Sequence, residues 1–317
     1  MQRLEAIRKF FLSLALTLLL FIGGVVLPPA AIAVLPLVPQ PALVLGLNYG
    51  VGWALGVILV ALGLLAVFAG GELALIFSFF ALIAVLLFGF LGRLRAIEFL
   101  VLAVTSIMFT VAGGISLFLF GSWAGMIHEF RDSLMQHLVA ATRMHERMGF
   151  PQDTLELLRE RAPQIVETLL QLLPGLFFVS LALIVLANVL LLCRRFPERR
   201  SGWLLVDNFR EWKGPEPLVW GLIVSGFVLF IPGLESFRIV AVNILVIISA
   251  SYFAQGLAII AYFFHKNNVP KFLRGVTYVL IFFQQIFTLL VIGLGLFDLW
   301  GDFRRLRKND LNPSQAS

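Results

Sequence analysis

The chain has 317 residues, 60% of them hydrophobic and 13% charged, with a formal net charge of +6. Soluble domains are about half apolar and about a quarter charged, so this composition excludes an ordinary soluble globular protein. The apolar residues come in blocks near the length that a bilayer core requires, and Lys and Arg collect between the blocks. The basic balance therefore reads as membrane topology rather than as a nucleic-acid surface.

In chain order, apolar blocks at 10–27, 30–47, 51–69, 73–91, 99–120, 173–192, 218–234, 239–264 and 276–299 predict an all-α polytopic transmembrane helix bundle of eight or nine spans. The first block follows Arg8 and Lys9 and is trailed by Ala31-Ile32-Ala33, like a secretory leader. It is longer than a usual leader core and more apolar sequence follows at once, so an uncleaved first span is expected. The second block carries Pro36, Pro39 and Pro41 after Pro28 and Pro29. Proline removes helix hydrogen bonds, which predicts a broken or re-entrant segment whose free carbonyls find partners in protein or water. Gly46/Gly50 and Gly52/Gly56 then fit the spacing that lets helices approach closely, within the bundle or against a partner. Asn48 lies beside Tyr49 and Trp53, either lining a polar site or belonging to an interfacial aromatic belt.

Residues 121–172 differ. Ile127, Phe130, Leu134, Leu138, Ala141 and Met148 recur at helical spacing among charged residues, which predicts an amphipathic helix. Gly149 and Pro151 should end it. A second short helix is expected at 155–161, capped by Asp153 and interrupted at Pro163. The organisation read from sequence is thus 1–120 as N-terminal spans, 121–172 as an extramembrane helical insert, 173–300 as C-terminal spans and 301–317 as a polar basic tail.

Polar side chains within the spans are the functional clues. In the eighth block Ala250, Ala254 and Ala258 form a seam of small residues. Ser251, Gln255 and Tyr262 occupy a narrow arc, with Asn243 an earlier turn away and rotated from them. Read as one helix, the last block places Gln284, Thr288, Gly295 and Asp298 on one face. Amides and acids in hydrocarbon must find partners. Asn243, Ser251, Gln255, Gln284, Thr288 and Asp298 therefore form the candidate substrate-binding set, the other reading being hydrogen bonds that glue helices together; Asn188 in the sixth block is read the same way. Asp298 has Arg304 and Arg305 one to two turns on as potential ion-pair partners, and its place near the end of the block argues against proton coupling. His128, His137 and His145 are spaced wrongly for a shared metal. No nucleotide loop, dinucleotide glycine motif or catalytic triad is evident, so no cofactor and no enzyme activity are expected. The single cysteine, Cys193, reads as a buried thiol.

Several short stretches together carry a resemblance: Leu173-Pro174-Gly175, Cys193-Arg194-Arg195, Phe209-Arg210-Glu211-Trp212-Lys213-Gly214-Pro215, Asn243, Gln255-Gly256-Leu257-Ala258, Gly293-Leu294-Gly295-Leu296-Phe297-Asp298 and Asp302-Phe303-Arg304. With these the chain resembles the YybS-like family of bacterial membrane proteins, a domain of unknown function, best over 150–305. The N-terminal half is similar to the substrate-binding S components of energy-coupling-factor vitamin transporters. That likeness implies a multi-pass protein of the bacterial inner membrane with a small-molecule ligand and a separate energising subunit. S components carry Ala-x-x-x-Ala in the first span for docking. This chain has Ser13 and Thr17 at that spacing, a departure that bears on docking. Two functions are in view: a small-molecule binding or transport component, and a membrane scaffold that recruits a partner protein through its insert and basic loops.

Overall fold

A computed structural model describes residues 2–204 and 209–304, with the side chains of Gln2, Arg3 and Thr154 left aside. Arg305 and the polar tail lie outside the described residues. All described regular elements are helices: α1 (Gln2–Val26), α2 (Pro28–Val34), α3 (Gln40–Tyr49), α4 (Val51–Phe68), α5 (Gly71–Phe90), α6 (Ile97–Phe120), α7 (Trp123–Arg147), α8 (Gln152–Arg195), α9 (Arg200–Trp203), α10 (Leu218–Phe230), α11 (Arg238–Lys266), α12 (Lys271–Phe283) and α13 (Gln285–Gly301). By length and composition seven spans qualify among the described residues, or eight if the bent pair α12 and α13 is taken as one. This is the all-α polytopic bundle that the apolar blocks predict.

The described residues form two compact units, one from 2–113 with 180–204 and the other from 114–179 with 209–304. In the first unit the core runs from Leu14 and Phe21 of α1 through Ala54, Val57 and Ala61 of α4 and Phe77, Ile83 and Leu87 of α5, to Leu181, Val185 and Val189 of α8. The proline-rich stretch is interrupted only locally: α2 passes into a 3₁₀ turn at Leu35–Leu37 before α3 begins, and Pro28–Tyr49 still qualifies as one span rather than a broken or re-entrant one. Asn188 supplies the missing partners. Its wholly buried amide donates to the Pro36 carbonyl at 2.9 Å and accepts from Gln40 Nε2 at 2.9 Å. Of the paired glycines, Gly46 has the tight contact, since a Cβ there would run into the Phe88 ring. Gly50 instead makes the positive-φ joint between α3 and α4.

In the second unit the amphipathic stretch is α7, capped by the Ser122 side chain, which accepts from the Gly125 N–H at 3.0 Å. Gly149 ends the turn that follows with φ +79, the left-handed geometry that glycine tolerates. The expected short helix at 155–161 is not separate. Helix α8 runs for 44 residues with Pro163 and Pro174 inside it. Two ion pairs, Arg131–Glu167 at 2.9 Å and Arg159–Glu146 at 3.0 Å, clip α7 to α8.

The last apolar block also departs from expectation. It is not one helix: α12 and α13 meet at Gln284 with a bend of 103°. The Gln284 backbone (φ −110, ψ 109) is extended, and the Thr288 hydroxyl donates to the Ile281 carbonyl at 2.7 Å across the break. The common helical face proposed for Gln284 and Asp298 therefore does not exist.

Candidate functional site

Helix α11 organises the second unit. Its 29 residues span about 44 Å at 1.5 Å per residue. Helix α13 packs antiparallel along its C-terminal half. A Cβ on Gly295 would overlap the Tyr252 carbonyl, and one on Gly256 would overlap the Val291 carbonyl, so backbone meets backbone at both glycines. The backbone contact thus falls on Gly256 and Gly295; of the alanines 250, 254 and 258, Ala258 is buried and the other two are partly exposed.

Helix α10 packs antiparallel along the other half. Gly214, just before it, lies against Ser251 and Gln255, Gly221 lies against Ile248, and the Leu229 carbonyl accepts from Arg238 at 3.4 Å. At 13 and 17 residues, α10 and α13 are about 20 Å and about 26 Å long. They are two shorter helices lying on successive halves of one long helix. The N-terminal end of α10 and the C-terminal end of α13 meet near the middle of α11.

Polar side chains fill that junction. Asp298 Oδ2 accepts from Arg304 Nη2 at 2.8 Å and from Gln255 Nε2 at 3.2 Å, and Oδ1 accepts from the Phe303 N–H at 2.9 Å. Both side chains of the ion pair are fully shielded. The other guanidinium nitrogen, Nη1, donates to the carbonyls of Arg210 and Trp212 at 2.7 and 2.9 Å. Gln255 Oε1 accepts from the Gly214 N–H at 3.1 Å. At the rim Lys213 Nζ pairs with Asp302 Oδ1 at 2.8 Å, and Asp302 takes a left-handed backbone (φ 37) to end α13. Cations suit that position, because a helix C-terminus is the negative end of its dipole.

The pairing of Asp298 with Arg304 expected from sequence is present. Asp298 is close to the end of its own helix, and its partner Gln255 is near the middle of α11, about 16 Å along that helix from Lys266. Residue-by-residue reading did not show that α13 stops halfway along α11. The stacked rings of Phe209 and Trp212 and the rim pair Lys213–Asp302 also escaped it. Their signal was present in the Phe209–Pro215 stretch that carried the resemblance.

The remaining candidates separate. Ser251 faces Gly214 at the junction. Asn243 does different work one half of α11 away. Its Nδ2 donates to the Gln171 carbonyl at 2.7 Å and its Oδ1 accepts from the Gly175 N–H. Those two backbone groups are the i, i−4 pair of a regular helix, here bracketing Pro174. Gly175 leaves the room, since a Cβ there would press on the Asn243 side chain and backbone. Thr288 bridges the α12–α13 break, and Gln284 is exposed in that break. Ser251, Gln255 and Asp298 come together; Asn243, Thr288 and Gln284 lie elsewhere.

A bundle of membrane-spanning helices with a buried ion pair at a helix junction defines an integral membrane protein. Residues 15–299 match the family model described as "Predicted membrane protein (DUF2232)", and the chain belongs to that family. No curated protein and no solved structure matches it.

Proposed function

We propose that the chain is a small-molecule binding or transport component whose ligand-responsive site is the α10–α13 junction. The observation that carries this reading is the Asp298–Arg304 pair with Gln255, buried halfway along α11 where two shorter helices end. Ionisable groups at such depth are costly and mark ligand or ion pathways. Transporters build such sites where discontinuous helices present their ends near the midplane. Arg304 Nε, buried and without a partner among the described atoms, is a spare donor there.

In this reading the chain makes and breaks no bonds and relies on a separate energising subunit, as the likeness to S components of the bacterial inner membrane implies. Ser13 and Thr17, at the spacing those components use for docking, are buried within the first unit. The energising partner would therefore dock elsewhere.

The test is Gln255→Leu in protein purified into lipid, screened by thermal shift against water-soluble vitamins and organic anions. A compound that stabilises the native chain should lose its effect on the folded variant. Undiminished binding with lowered stability alone would overturn the assignment of Gln255 to the site.

A second reading, a membrane scaffold, is favoured by α7, which leaves Trp123, Phe130 and Met144 exposed. Deleting 122–150 should then abolish co-purification of a defined soluble partner while leaving small-molecule binding unaffected.

A further inference from the structure

The geometry points to α12 as an in-plane helix that seats on a membrane surface of anionic lipid, rather than as half of a broken span. Three independent features carry this inference.

The first is placement. Helix α13 runs antiparallel to α11 and starts level with its C-terminal end, as the Tyr252–Gly295 and Gly256–Val291 approaches require. Helix α12 meets α13 at 103° and is held to that same end of α11. Arg274 Nη2 donates to the Phe264 carbonyl at 3.2 Å, and the Phe264 and Tyr278 rings pack edge-on at 5.8 Å. An element nearly perpendicular to α13 at the end of the pair lies across it. At 13 residues, about 20 Å, α12 is also too short to cross about 30 Å of hydrocarbon.

The second is the apolar stripe. Phe272, Val276, Val279 and Phe283 follow the i, i+4, i+7, i+11 pattern of one helix face, and all four are exposed, Phe272 at 83% and Phe283 at 76%. The buried Ile281 marks a different face, turned into the protein. Leu273, Leu280 and Phe282 (79%) widen this exposed apolar face on its two flanks, leaving lipid to cover one side of the helix and the bundle the other.

The third is charge. Residues 265–283 hold Lys266, Lys271 and Arg274 and no acid. Lys266 and Lys271 are exposed at the start of the stripe, while Arg274 is engaged with the Val269 and Phe264 carbonyls. These two exposed ammonium groups lie where anionic headgroups would sit, and basic residues at a membrane surface draw such lipids.

The full chain, with Cys193→Ala, is reconstituted in vesicles of phosphatidylcholine and phosphatidylglycerol. Single cysteines replacing Phe272, Val276, Val279 and Phe283 carry an environment-sensitive fluorophore, and depth is read by quenching from lipids labelled at known positions. An in-plane helix gives all four labels one shallow depth. A depth that changes steadily, by about 16 Å from 272 to 283, overturns the proposal. Mass spectrometry of the protein released from the same bilayers reads the lipids it retains. Native protein should retain phosphatidylglycerol over phosphatidylcholine, a preference that drops about fivefold per lysine in Lys266→Gln and Lys271→Gln. An unchanged preference overturns the headgroup assignment.

Discussion

Asp298 and Arg304, six positions apart in the chain, form an ion pair at 2.8 Å with no exposure of either side chain. Removing one partner from such a pair leaves the other charged and unsolvated, at a cost of about 3–5 kcal/mol. Asp298→Asn should lose stability on that scale. The double variant Asp298→Asn/Arg304→Gln should lose less than the sum of the two single losses. Thermal unfolding in detergent checks this as a double-mutant cycle, and strict additivity would show that the pair is not coupled.

The Asn243 amide bonds both backbone groups that bracket Pro174. Asn243→Leu removes both bonds and leaves the Gln171 carbonyl and the Gly175 N–H only each other as partners across Pro174, at about 1 kcal/mol per bond lost. The expected outcome is faster hydrogen exchange in the peptide spanning 171–178 and a lower unfolding temperature. Unchanged exchange in that peptide would exclude the bridging role.

Gly295 and Gly293 make an internal comparison. A Cβ at 295 meets the Tyr252 carbonyl and the Gly256 nitrogen, whereas at 293 it meets nothing within 4 Å. Gly295→Ala should destabilise by about 1–3 kcal/mol through overpacking. Gly293→Ala should be neutral or mildly stabilising through helix propensity. Equal melting shifts for the two would contradict the close crossing of α11 and α13.

In the first unit Asn188 and Asn48 form a similar pair of opposites. Asn188 holds the Pro36 carbonyl and Gln40, while the exposed Asn48 bonds the Val44 carbonyl of its own helix. Asn188→Leu should lower the unfolding temperature and Asn48→Leu should not. Expression and melting of the two variants in parallel decide the matter.

Hydrophobic blocks of bilayer length, with the prolines among them, were enough to establish helices, membrane insertion and a local interruption of the proline-rich span. Each follows from a local rule: backbone groups in hydrocarbon must pair within their own segment, and proline cannot donate. The affinity of Asp298 for a nearby arginine was also readable, because the two lie within six residues. Three things were not. Asn243 read either as a ligand contact or as helix glue, and two of its partners, 68 and 72 positions away on a different helix, were not visible from it. The bend at Gln284 falls within an apolar run in which no proline or glycine marks it. The meeting of Asp298 with Gln255 depends on α13 ending halfway along α11, a matter of register between two helices. Local sequence dictates which groups must find partners; only the packing of distant segments decides which partners they find and how far from water they sit.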